Sequence, residues 1–164
     1  MSELADLLER LRRGPELVAV ATTGAAGSEL DFKPGEGKWS VRQIACHLAD
    51  SEAVAGMRLR QVIAEPNPTL IAYDEKAWTS SLGYERRKIS QVLELFRMLR
   101  SANYELLKEQ PEEAFKRSGT HTELGRITLF DLLRLIVEHA ENHVKQIQAA
   151  RAAYREHKAG LTPA

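Results

Sequence analysis

A chain of 164 residues, 43% hydrophobic and 28% charged, has the balance of a folded globular protein and the length to bury a core without staples. Its 23 basic and 23 acidic side chains cancel, which removes any global charge argument for nucleic acid or an anionic membrane, and its one cysteine, Cys46, excludes an intrachain disulfide. No apolar run approaches the ~20 residues of a spanning helix, and the first residues lack the basic and apolar regions of a leader. The expectation is a soluble cytoplasmic protein acting on a small molecule, with neither nucleic acid nor membrane as partner.

Leu4, Leu7, Leu8 and Leu11 have helical spacing behind Ser2 as a cap. Gly14-Pro15 is expected to interrupt, with a second helical piece from Glu16 to Thr23 and a loop from Gly24 to Ser28. Ser40 is a good N-cap for a long helix reaching Ala64, and Glu65-Pro66-Asn67-Pro68 stops it. A loop from Pro66 to Gly83 carries Tyr73, Asp74 and Trp78. Another long helix is expected from about Tyr84 to Gln110, with Ile89, Val92, Leu93, Phe96, Leu99, Leu106 and Leu107 on its core side. Phe115 to Arg126 reads as irregular. Thr128, with Asp131 as capping partner, opens a final helix to roughly Tyr154, followed by a frayed tail from His157 to Ala164. No repeat and no strand-like alternation is evident. The reading is all-α: an antiparallel helical bundle, one domain over residues 1–164 with its core between about 4 and 154.

His139 and His143 lie in the last helix, inside the apolar stripe of Leu132, Ile136, Ala140 and Ile147. Four residues advance a helix by ~400°, so the two rings sit ~40° apart and one turn on. A buried imidazole needs hydrogen-bond partners or a metal. His47, at the edge of the apolar stripe of the second helix, could supply a third ring. Three neutral imidazoles would make a site with open positions for water or substrate, suited to zinc and also to nickel, iron or copper. The alternative is three hydrogen-bonded core histidines with no metal.

Other chemistries fit less well. Ala140 stands where a zincin protease needs glutamate, and no Gly-x-Ser-x-Gly, phosphate loop or dinucleotide fingerprint is present. Cys46 and His47 diverge by ~100° on a helix, so they do not form a nucleophile–base pair. Asp50, one turn from His47, could orient a ring or take a proton from bound water, or lie on the surface. Arg58, ~20° from His47 on the wheel, could hold an anionic substrate group or make a salt bridge. Asp74 and Trp78 could cover the site from their loop, although Trp78 also suits a packing anchor. Trp39 is expected to pack against the bundle end, and His121 and His157 to be surface residues.

Trp39-Ser40-Val41-Arg42-Gln43-Ile44-Ala45-Cys46-His47-Leu48-Ala49-Asp50-Ser51-Glu52, Gly125-Arg126-Ile127-Thr128-Leu129 and Glu138-His139-Ala140-Glu141-Asn142-His143-Val144-Lys145-Gln146-Ile147 together resemble the DinB-like proteins, including the YfiT-like metal-dependent hydrolases. The resemblance runs from about Leu4 to Ala150 and extends to Tyr73-Asp74-Glu75-Lys76-Ala77-Trp78. It implies a four-helix bundle with long connections. It also implies a divalent metal, zinc or nickel before iron or manganese, on His47, His139 and His143, and often a homodimer. For activity it implies either hydrolysis or S-transfer of a low-molecular-weight thiol such as bacillithiol or mycothiol. Thiol transfer is slightly favoured here because no obvious general base accompanies the histidines. A metal-stabilised, non-catalytic binding or stress-response module is the alternative.

Overall fold

The computed structural model describes residues 2–161. Four long helices make the bundle. Ser2 caps α1, Glu3–Thr22, by accepting a hydrogen bond from the Ala5 amide at 3.2 Å. This helix runs unbroken through Pro15, where a break is expected from the sequence. Leu7, Leu11, Val18 and Ala21, on both sides of the proline, share one buried stripe. Packing that stripe outweighs the ~3 kcal/mol an interior proline costs. A short α2, Ser28–Asp31, precedes α3, Val41–Ala64. α3 opens with a reciprocal capping box: Ser40 Oγ accepts the Gln43 amide at 3.2 Å, and Gln43 Oε1 accepts the Ser40 amide at 3.0 Å.

The expected loop between the second and third long helices contains a short helix, α4, Glu75–Ser81. Asp74 caps it by accepting the Ala77 amide at 2.9 Å. Tyr84–Arg86 forms a separate 3-10 turn, so α5 spans Ile89–Lys108 and starts later than expected. The expected irregular stretch holds strands. β1, Thr69–Leu70, pairs parallel with β2, Ser118–His121, and β2 pairs antiparallel with β3, Gly125–Thr128. Strands of two to four residues are too short for alternation to register. α6, Leu129–Leu161, begins where Thr128 and Asp131 cap each other at 2.9 and 3.0 Å, and it continues well past Tyr154. Of the expected frayed tail, His157 to Gly160 is helical and residues 162–164 lie outside the described residues.

α1 and α3 each pack against both α5 and α6, so they face each other across the bundle. Glu3 meets Arg134, Arg10 meets Glu141, and Arg151 donates to the Ala21 and Thr23 carbonyls. α1 and α6 therefore run parallel. α3 and α5 also run parallel: Cys46 lies by Tyr84, Glu52 by Arg100 and Arg60 by Asn103. α3 is antiparallel to α6, with His47 near His139 and Leu59 clustered with Leu132. Two adjacent pairs thus run parallel, not antiparallel as expected. Hydrophobic periodicity marks helix faces and carries no direction; connection length decides it.

Parallel neighbours require a connection that returns the length of the bundle. Residues 65–88 do this, passing along α3. Arg58 Nη2 donates to the Ile71 carbonyl at 2.6 Å, Glu75 approaches His47, and the Tyr84 hydroxyl donates to Asp50 at 2.6 Å. One apolar cluster, around Ile44, Leu48, Phe96 and Ile147, fills the end where α3 begins. A second, around Leu11, Leu59, Leu107 and Leu133, fills the sheet end. No helix of the described residues is long and apolar enough to cross a membrane.

Candidate metal centre

The helical spacing places His139 and His143 on one face of α6, and α3 brings His47 against them. His139 Nε2 lies 3.0 Å from His47 Nε2 and 3.1 Å from His143 Nε2. One ligand atom from each of the three lies within 4.8 Å of the others. Nitrogen ligands ~2.0–2.1 Å from a tetrahedral zinc are about 3.3 Å apart, so this spacing suits one ion. His47 is 1% exposed. Burial, assisted by the neighbouring imidazoles, pushes His47 down to about 4 and His139 down to about 3. Burial also lowers His143, against the opposing effect of its bond to Gln146. All three are neutral near pH 7, the form in which imidazole donates a lone pair.

Two details sharpen the fit. Gln146 Oε1 can only accept, so at 2.7 Å it accepts a hydrogen bond from His143 Nδ1–H, which keeps the ring proton on Nδ1 and leaves Nε2 bare toward the cluster. His139 Nε2 carries either one proton or one lone pair, yet it meets two nitrogens at about 3 Å. At most one of these contacts is a good hydrogen bond. A cation among the three nitrogens would satisfy all of them, and the all-imidazole donor set suits a borderline divalent metal.

Trp39 walls the cluster, with its ring centroid 5.0 Å from that of His47 and stacked 6.2 Å from that of His143. Glu75, the first residue of α4, brings Oε2 to 3.6 Å from His47 Nε2. A cavity of about 730 Å³ opens beside Trp39, between the start of α3 and α4.

The other sequence candidates are engaged by other partners, although the Asp50 charge still reaches His47. Asp50 has both carboxylate oxygens engaged, by the Tyr84 hydroxyl at 2.6 Å and Arg87 Nη1 at 3.2 Å, and ties α3 to the following turn. Arg58 shares an angle with His47 but lies roughly 16 Å further along the axis, where it holds the crossover. Asp74 is occupied as the α4 cap, and Trp78 packs on Tyr73 with centroids 4.3 Å apart. Both shape the cover, and neither side chain is brought to the histidines. Cys46 is fully buried, and burial raises its thiol to about 11, so it is no nucleophile. His121 is buried at 7% exposure, not at the surface as expected; its Nδ1 accepts the Glu123 and Leu124 amides within a turn. His157 is exposed and lies against Phe32.

Sequence reasoning did not reach Glu75, Gln146 or the contact of Trp39 with two histidines. Gln146 was findable, standing three residues after His143 on the same helical face. Glu75 carried no local signal, because the parallel crossover alone brings α4 to α3.

A family model described as the DinB superfamily matches residues 10–147. YfiT of Bacillus subtilis (strain 168), a candidate metal-dependent hydrolase, is 31% identical over 141 residues, 85% of this chain and 79% of its own length. A candidate metal-dependent hydrolase of Oceanobacillus iheyensis is 31% identical over 133 residues, 81% of this chain and 77% of its own. The solved structure of YfiT, described as having an unusual four-helix bundle topology, matches with a TM-score of 0.85 at 29% identity, covering 92% of this chain and 87% of that one. A DinB-like protein of Bacillus subtilis, YjoA, shares the fold with a TM-score of 0.61 at 14% identity over 96% and 94% of the two chains.

Proposed function

The chain belongs to the DinB superfamily, and from that premise we propose that it is a metal-dependent enzyme of the hydrolase type, with one divalent ion on His47, His139 and His143. The observation that carries the reading is the convergence of three neutral imidazole nitrogens, one buried and two half-buried, with too few protons to satisfy one another. Bound zinc or nickel would supply Lewis acidity, lowering the pKa of a water or a thiol.

The chain's own groups divide the remaining work. Gln146 holds the His143 ring in the tautomer that points Nε2 inward. Trp39 shields two of the rings from bulk water. Glu75 Oε2, at 3.6 Å from His47 Nε2 and half exposed, is the carboxylate that would accept a proton from a water or thiol activated by a metal on the three histidines. It fills the base role for which Asp50 was the sequence candidate. Thiol transfer was favoured because no base was evident, so a carboxylate here moves the balance towards hydrolysis. S-transfer from a low-molecular-weight thiol uses the same parts, with Glu75 taking the thiol proton. Thiol consumption against electrophiles, set beside release of acid or alcohol from esters and amides, separates the two.

Elemental analysis of protein purified without an affinity tag tests the centre. About one equivalent of metal is expected in the parent and little in His139→Ala. Glu75→Gln is expected to keep metal and melting temperature while turnover falls roughly a hundredfold. No metal in the parent after reconstitution with zinc, nickel and manganese overturns the proposal. Metal without turnover in either screen, together with a large loss of melting temperature in His139→Ala, would mark a metal-stabilised binding module instead.

A further inference from the structure

We infer that the cavity beside Trp39 binds a small substrate bearing carboxylate or phosphate oxyanions, and that Lys33, Lys38 and Lys76 select it; this deepens the enzymatic reading and rests on it. The volume of about 730 Å³ lies within the ~300–1,000 Å³ typical of small-molecule sites. Among the described residues, none of these three lysines has an ion-pair partner. The two acids on the same wall are already compensated: Asp31 pairs with Arg42 at 2.7 Å and Glu85 with Arg86 at 3.0 Å. With those two acids neutralised by arginines behind the wall, the three lysines are left as uncompensated positive charges in a chain whose formal net charge is zero. A concave surface of one sign concentrates oppositely charged ligands.

Of the three hydroxyls on the wall, Ser40 Oγ accepts the Gln43 amide and keeps its own proton to donate, while the other two donate locally. Thr79 Oγ1 donates to the Glu75 carbonyl and Ser80 Oγ to the Lys76 carbonyl. Gln43 uses its Oε1 on the Ser40 amide, which leaves its NH2 group to donate. Recognition thus falls to three ammonium groups, one amide and the Ser40 hydroxyl, each with a proton to donate, and donors call for oxyanions.

The cavity also adjoins the histidines. Trp39 lines it and touches the rings of His47 and His143. Gln43 stands one turn before His47 on the same face of α3. Lys76 follows Glu75 on α4. The cavity and the histidine cluster therefore share Trp39 as a common wall.

The test is titration of chelator-treated, metal-free protein with inorganic phosphate and with succinate at constant ionic strength, read by calorimetry and by tryptophan fluorescence. Saturable binding of at least one probe is expected, with a fluorescence change that disappears in Trp39→Phe. Lys33→Gln/Lys38→Gln/Lys76→Gln replaces only exposed side chains, so it is expected to fold with an unchanged melting temperature and to bind at least tenfold more weakly. Equal affinity in the triple variant, binding that leaves Trp39 unaffected, or no saturable binding overturns the inference. The probes are read without metal, so binding that persists in His139→Ala supports the anion site even if the metal analysis fails. Loss of lysine dependence with normal metal content defeats this inference alone.

Discussion

His139 Nε2 faces two imidazole nitrogens at 3.0 and 3.1 Å and can make a good hydrogen bond to only one. Burial of these rings, with the neighbouring imidazoles adding to it, sets how acid acts on the metal-free protein. His47 and His139 titrate near 4 and 3 in the fold and near 6.5 when unfolded. Below pH ~6.5 the unfolded chain binds protons that the folded one refuses, so stability falls as pH falls. Each such group contributes up to about 1.4 kcal/mol per pH unit in this window. Urea unfolding of chelator-treated protein between pH 7.5 and 4.5 is expected to show this decline, with a shallower slope in His47→Gln. Direct competition of protons with a metal at the folded site is expected only towards pH 4, where His47 begins to take up a proton.

At the scale of the element, helix α1 shows how packing overrides a local signal. Pro15 costs one backbone hydrogen bond, yet the helix continues because Leu7, Leu11, Val18 and Ala21 bury along one stripe. Gly14 beside it serves a different purpose. A Cβ there would stand 2.8 Å from Arg100 Nη1, which is buried and anchored from the other side. Gly14→Ala is therefore expected to destabilise by about 1–3 kcal/mol through overpacking, despite alanine's better helix propensity. Thermal unfolding at pH 7.5 checks the sign; a gain in stability would show that Arg100 can move aside.

Across the whole molecule, a polar layer joins the bundle near its middle. Arg100 on α5 and Glu52 on α3 are 1% and 2% exposed and pair at 2.8 Å. Asn103 donates to Glu52 at 2.9 Å, and Arg100 Nη2 donates to the Ile136 carbonyl of α6 at 3.1 Å. The Arg100 charge also reaches His139 and helps to lower its pKa. Arg100→Leu leaves a buried carboxylate without its cation and is expected to cost about 3–5 kcal/mol. Glu52→Leu/Arg100→Leu removes both charges and is expected to recover most of that loss. Denaturant midpoints of the two variants beside the parent measure the difference.

Helix faces, the Ser40 and Thr128 caps and the face-sharing of His139 and His143 follow from residue type and a 3.6-residue period. Each depends only on neighbours within a turn or two, so residue order alone settles it. The pairing of His47 with them rested on a stripe edge and a family resemblance, since no spacing links the two helices. Helix direction, the parallel crossover, α4 over His47 and the short sheet were decided by the tertiary structure alone. Each depends on residues far apart in the chain, and burial of a stripe is equally satisfied by a parallel or an antiparallel neighbour. Arg58 shows the limit from the other side: a helical wheel records its angle and discards the axial rise that carries it away from the histidines. Glu75 shows the converse, a residue with no local signal that the crossover sets 3.6 Å from a histidine nitrogen.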